Sequence, residues 1–233
     1  MRKFRTREGP FTERFLFELQ EIDDICVEAL KSVDCLPADP KAVRIDRFVE
    51  KYFKTSVDYQ DLEGGILGCT IFRGNGSVER VIVSSALEGD VSSERRLRAT
   101  IAHEAGHGLL HASLFIESGT SMNLLDEPSV RKDRILCRPD DIKPVGQAKG
   151  YDGRWWEYQA NRAIGGLLLP KKLVSTAVSA YLRGAGSEAP FVIARGERES
   201  SVRAISEIFD VNPVVARIRL SEMWPETAQG TLF

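Results

Sequence analysis

The chain has three histidines among its 233 residues, and all of them lie in the run His103-Glu104-Ala105-Gly106-His107-Gly108-Leu109-Leu110-His111. The first five residues of that run read H-E-x-x-H. On an α-helix, residues four apart project about 40° from one another and lie about 6 Å apart along the axis, so His103 and His107 can direct their imidazoles at one point. A single metal ion can accept both. Glu104 falls about 100° around the same turn, which sets its carboxylate beside such an ion as a base for bound water and not beneath it as a third ligand.

Catalytic zinc takes three protein ligands and keeps a fourth position for water or substrate. His111 continues the i, i+4 series, but it lies about 12 Å along the axis from His103, out of range of zinc–nitrogen bonds of about 2.0–2.1 Å. It is expected to support the ligands or the packing. The third ligand must then be a carboxylate or a cysteine from elsewhere in the chain. Cys69 and Cys137 are alternatives, but two histidines and a glutamate form a well-attested catalytic set, and Glu157 is the best candidate. It lies in a helical stretch of its own, with Asn161 one turn further along the same face. Tyr151, Arg154 and Tyr158 stand near it in sequence as candidate donors to an oxyanion.

Two helices must position these groups. Leu97, Ile101, Ala105 and Leu109 recur at intervals of four through the motif, with Ser92 and Ser93 as candidate N-caps. Trp156, Ala160, Ala163 and Leu167 form a second stripe, ended by Pro170. Upstream, Phe11, Phe15, Leu19, Ile22, Cys26 and Leu30 predict a helix over residues 10–32, and Asp39-Pro40 predicts the start of another that runs to about residue 54. Residues 66–72 and 80–84 read as strands joined by a tight turn at Asn75-Gly76, with Ser56 to Tyr59 as a further strand. The sequon at Asn75 reads better as that turn. A sheet edge beside the motif helix would offer backbone groups to an extended peptide. From Ser113 to Arg154 only Arg134–Cys137 looks like a strand, and the rest reads as a lid, a binding loop or a surface excursion. Ser201 to Phe209 and a helix capped by Asn212-Pro213 resemble a helix-turn-helix, whose Arg217 and Arg219 are candidate phosphate contacts.

The fold class is α+β, mostly helical with a short antiparallel or mixed sheet. Residues 1–38 read as a helical extension, 39–182 as the metal-bearing domain and 183–233 as a small C-terminal helical unit. A formal net charge of −2 argues against a protein that coats nucleic acid or an anionic membrane. No secretory signal and no apolar run of bilayer length is apparent, and the four widely spaced cysteines form no C-x-x-C pair, so free thiols in a cytoplasmic protein are expected.

The segments Arg98 to His111 and Glu157-Tyr158-Gln159-Ala160-Asn161-Arg162-Ala163-Ile164-Gly165-Gly166-Leu167-Leu168-Leu169-Pro170 resemble the two signature blocks of the ImmA/IrrE-type zinc metallopeptidases. That resemblance extends upstream to about Val43 and weakly through the C-terminal helices. It implies a zincin-like domain holding one zinc ion through His103, His107 and Glu157, with Glu104 as the catalytic base. It further implies a protein substrate, commonly a transcriptional repressor or antitoxin encoded nearby. Gln159 departs from the usual second glutamate of the downstream block, and Ile164 from its usual aromatic or small residue. The rival expectation is a non-proteolytic zinc-binding regulator acting through protein or DNA recognition by its C-terminal helices. An intact Glu104 favours the enzyme, since a binding module has no need of a base beside its metal.

Overall fold

A five-stranded sheet and two adjoining helices carry the motif residues. The structure, a computed structural model, describes residues 2–5, 10–11, 13–89, 91–116, 130–131, 133–139, 153–184 and 191–225. Among these residues the fold is mixed α+β, with seven α-helices and three small sheets. In chain order the elements are β1 (Arg2–Arg5), β2 (Glu13–Leu16), α1 (Leu19–Ser32), α2 (Ile45–Phe53), β3 (Val57–Gln60), β4 (Gly68–Phe72) and β5 (Val78–Ser84). There follow α3 (Val91–Leu110), β6 (Val130–Arg131), β7 (Arg134–Cys137), α4 (Trp155–Leu168), α5 (Lys171–Ala177), β8 (Leu182–Gly184), β9 (Phe191–Ile193), α6 (Arg198–Phe209) and α7 (Pro213–Met223).

The sheet grows from the expected hairpin. Asn75 Oδ1 accepts from the Ser77 amide at 2.9 Å, and Gly76 takes φ +80°, so the Asn-Gly step turns β4 back as antiparallel β5. β3 joins β5 in parallel, and β7 joins the other side of β4, giving the order β3-β5-β4-β7-β6. β4 is therefore an interior strand, paired on both sides and buried along its length. The strand beside the motif helix does not offer a free edge.

α3 lies across β4 and alongside α4. From Ala99 to His111 every residue except Leu109 is buried, so the half of α3 that carries the motif is enclosed on all sides and not only along one apolar stripe. The stripe of α4 behaves as its spacing predicts, with Trp156, Ala160, Ala163 and Leu167 all buried. The two helices meet closely at Gly106, where a Cβ would stand 2.8 Å from that of Ala163.

Three helix starts differ from expectation. Phe11 and Phe15 are not on a helix: Glu13–Leu16 is a strand paired with β1, and α1 begins only at Leu19, where Glu21 accepts from the Glu18 amide. Residues four apart share a face on a strand as well as on a helix, so their spacing fits both. Both rings are buried against Trp155, and Phe11 also against Trp156 at 5.3 Å. α2 begins at Ile45 and not at Asp39-Pro40, because the stripe that faces the core, Ile45, Phe48 and Val49, starts there. α3 begins at Val91, which leaves Ser92 and Ser93 inside the helix.

The C-terminal reading is closer. Asp210 adopts the left-handed conformation after α6, Asn212 Oδ1 accepts from the Val214 amide at 2.9 Å, and Pro213 opens α7. These helices are tied to the rest of the chain by arginines. Arg95 and Arg98 of α3 bind Asp210, and Arg219 of α7 donates to Leu169 O and to Asp23 of α1. One hydrophobic cluster runs from Phe11 to Leu220 and draws on all three stretches of the sequence. All four cysteines are free, and no described helix is long and apolar enough to cross a membrane.

Candidate metal centre

α3 and α4 bring three donor atoms to one point. His103 Nε2 lies 3.0 Å from His107 Nε2 and 3.0 Å from Glu157 Oε2, and His107 Nε2 lies 3.6 Å from the same oxygen. Four-residue spacing on α3 aligns the imidazoles, and the first turn of α4 delivers the carboxylate. The two histidines are fully buried and Glu157 is 4 % exposed.

The hydrogens on the two imidazoles are assigned by what faces their other nitrogens. Asn161 Oδ1, an acceptor, lies 3.2 Å from His103 Nδ1, so that nitrogen donates and Nε2 carries a lone pair. His107 Nδ1 faces His111 Nδ1 at 3.0 Å, and His111 Nε2 faces Gln159 Oε1 at 3.0 Å. Because Gln159 Oε1 can only accept, His111 donates from Nε2 and accepts at Nδ1 from His107. His107 Nε2 is thereby also a lone pair. Burial pushes the His111 imidazole down to about 3 and lowers that of His107 as well, so both are neutral near pH 7. Burial acts to raise the Glu157 carboxyl, and His107 and His103 lower it only in their protonated, N–H-donating forms; with both Nε2 atoms bare, it falls to a cation among the donors to keep the carboxyl ionised.

Three lone-pair atoms thus converge within 3.6 Å of one another in a buried site, and Glu157 Oε1 has no hydrogen-bond partner among the described residues. Such a cluster is repulsive unless a proton or a metal ion lies among its members. A tetrahedral ion with bonds of about 2.0–2.1 Å separates its donors by about 3.3 Å. The residues fit a metal ion held by two imidazoles and a carboxylate.

Glu104 lies outside this triangle. One of its carboxylate oxygens is within 4.8 Å of a His103 ring nitrogen and of Cys137 Sγ, a second group of donors that could hold a metal. The Thr70 hydroxyl of β4 stands 2.5 Å from Glu104 Oε2 and 3.0 Å from the Glu104 backbone carbonyl. Gly68, two residues earlier on the same face of β4, leaves the space that Glu104 Oε1 fills.

The remaining candidates are dispersed. Tyr158 is 38 % exposed and accepts a hydrogen bond from Arg162, away from the donors. Arg154 is half-buried at the N-cap of α4, and Tyr151 lies outside the described residues, as does most of the stretch from Ser113 to Arg154. Cys69 is on β4 and belongs to neither donor group, whereas Cys137, on β7 opposite Gly68, belongs only to the second, with His103 and Glu104. Thr70, Gly68 and Gln159 were not singled out as site residues from sequence. The only sequence signal for Gln159 was its departure from the downstream block. Arg219 is 3 % exposed and paired with Asp23, so its guanidinium is not presented to a phosphate backbone, whereas Arg217 is half exposed and pairs with Glu199 at the surface. Comparison with protein-family models and with curated proteins gave no match for this chain.

Proposed function

We propose that the protein is a zinc-dependent endopeptidase whose centre is His103, His107 and Glu157, with Glu104 as general base. The observation that carries this reading is the convergence of three buried lone-pair atoms from α3 and α4, with a second, separately held carboxylate beside them. A zinc ion so bound supplies an acidified water and a Lewis acid for a carbonyl oxygen.

The chain's own residues supply the rest. Thr70 and the space at Gly68 fix the Glu104 carboxylate, which takes a proton from the attacking water and passes it to the leaving amine. Asn161 and His111 keep the Nε2 nitrogens of His103 and His107 free of hydrogen. Glu157 would contribute negative charge without competing for that proton, since a carboxylate that holds a metal ion is deprotonated.

A second reading is favoured by one observation. His103, Glu104 and His107 have no solvent exposure, and closed sites are the mark of structural zinc. In that reading the protein is a non-proteolytic regulator that acts through a partner. The buried pairing of Arg219 speaks against DNA contact through that residue. For the peptidase, a polypeptide reaches the centre only after a movement that uncovers it.

The substrate class to test is the one implied by the resemblance, a transcriptional repressor or antitoxin encoded beside the protein. Zinc-loaded protein is incubated with that partner in parallel with Glu104→Gln. Cleavage by the unsubstituted protein alone, with equal zinc in both, supports the peptidase; equal cleavage by both overturns the role of Glu104, and binding without cleavage by either supports the regulator.

A further inference from the structure

Three hydrogen bonds run head to tail from the N-terminal strand β2 to the metal centre, and one backbone carbonyl sets the direction of them all. Phe15 O lies 2.7 Å from Gln159 Nε2. A carbonyl oxygen only accepts, so the Gln159 amide turns its NH2 group toward Phe15 and its Oε1 toward His111 Nε2, 3.0 Å away. His111 must donate there, which leaves its Nδ1 bare, 3.0 Å from His107 Nδ1. His107 must donate in turn, and its Nε2 faces the donor cluster as a lone pair.

The opposite arrangement is excluded by the same carbonyl. Turning the Gln159 amide over would place Oε1 against Phe15 O, two acceptors at 2.7 Å in a buried site. It would also present NH2 to His111 Nε2, shift the His111 hydrogen to Nδ1, and force the His107 hydrogen onto Nε2, where a metal has to bind. The chain is a two-state device with one state blocked. Phe15 itself is held by its pairing opposite Lys3 of β1 and by burial of its ring against Trp155.

We infer that Gln159 and the Phe15 carbonyl are positioning groups that lock His107 in its metal-binding tautomer through His111, which makes β2 a working part of the metal centre. The inference rests on the metal-centre reading, but its first test needs no metal. Long-range proton–nitrogen correlation spectra of the metal-free, nitrogen-15-labelled full chain report which ring nitrogen carries hydrogen. The expected result is hydrogen on Nε2 of His111 and on Nδ1 of His107; hydrogen on Nδ1 of His111 overturns the inference. Failure of the protein to bind zinc at all would instead sink the centre and leave this tautomer result standing.

The second test uses zinc affinity by chelator competition. Gln159→Met removes the acceptor at similar volume and is expected to weaken zinc binding about 10–100-fold, the range for loss of a group that orients a ligand. Zinc affinity in Gln159→Met equal to that of the unsubstituted chain overturns the inference. Should Gln159→Met fail to fold, the spectra of the unsubstituted chain decide the matter.

Discussion

Gly68 and Glu104 occupy one another's space: a Cβ on Gly68 would stand 2.5 Å from Glu104 Oε1, closer than such atoms approach in folded proteins. The carboxylate proposed as the base is thus held by a missing side chain on one side and by the Thr70 hydroxyl on the other. Gly68→Ala should displace it while leaving the donor triangle in place. Cleavage is expected to fall about 10²-fold or more, the scale of a lost general base, with zinc content unchanged. Zinc lost in parallel with activity would place Glu104 in the metal's own ligand set.

The separation of the donors depends on how closely α3 and α4 pack. Gly106→Val inserts carbon where a Cβ alone would already be 2.8 Å from Ala163 Cβ and 3.2 Å from Ala160 O. Overpacking of this kind costs about 1–3 kcal/mol. Chemical denaturation should register that loss, and chelator competition should show weaker zinc binding; unchanged zinc affinity would mean that helix spacing does not set the site.

Arg219 and Asp23 join the last helix to the first through a pair in which both side chains are nearly inaccessible. Removing one member leaves the other buried, although Lys171 also reaches Asp23 at 2.7 Å. Arg219→Met is expected to cost about 3–5 kcal/mol in urea unfolding. A change below about 1 kcal/mol, with altered binding to DNA, would return Arg219 to a recognition role.

Acidification should destabilise the metal-free protein. His111 is pushed from its ordinary 6.5 to about 3 by burial, and His107 moves in the same direction. Between those values the unfolded chain binds more protons than the folded one, so stability falls as pH falls from about 6.5 toward about 3. Melting temperature against pH reads this directly, and a flat profile across the window would contradict neutral buried imidazoles.

The chemistry was more legible in the sequence than its support. His103, Glu104 and His107 follow from helical spacing, and Glu157 and Asn161 from sharing one face of a second helix, because local periodicity fixes which side chains can converge. Thr70 and Gly68 depend on β4 packing across α3, a tertiary contact that no local pattern encodes. Gln159 lies about 200° around α4 from Glu157, so the face that delivers the ligand does not contain it. It reaches the centre through His111, one turn beyond the motif. The N-terminal strand was missed because the Phe11–Phe15 spacing fits helix and strand alike, and pairing with β1 is decided at long range.

The central claim is a single metal ion held by two imidazoles and one carboxylate. Metal analysis and zinc K-edge absorption on the zinc-loaded full chain test it most directly. The account predicts one zinc per chain with a shell of nitrogen and oxygen at about 2.0–2.1 Å and no sulfur. A sulfur shell at about 2.3 Å would put Cys137 in the ligand set, and failure to retain stoichiometric zinc would contradict the centre itself.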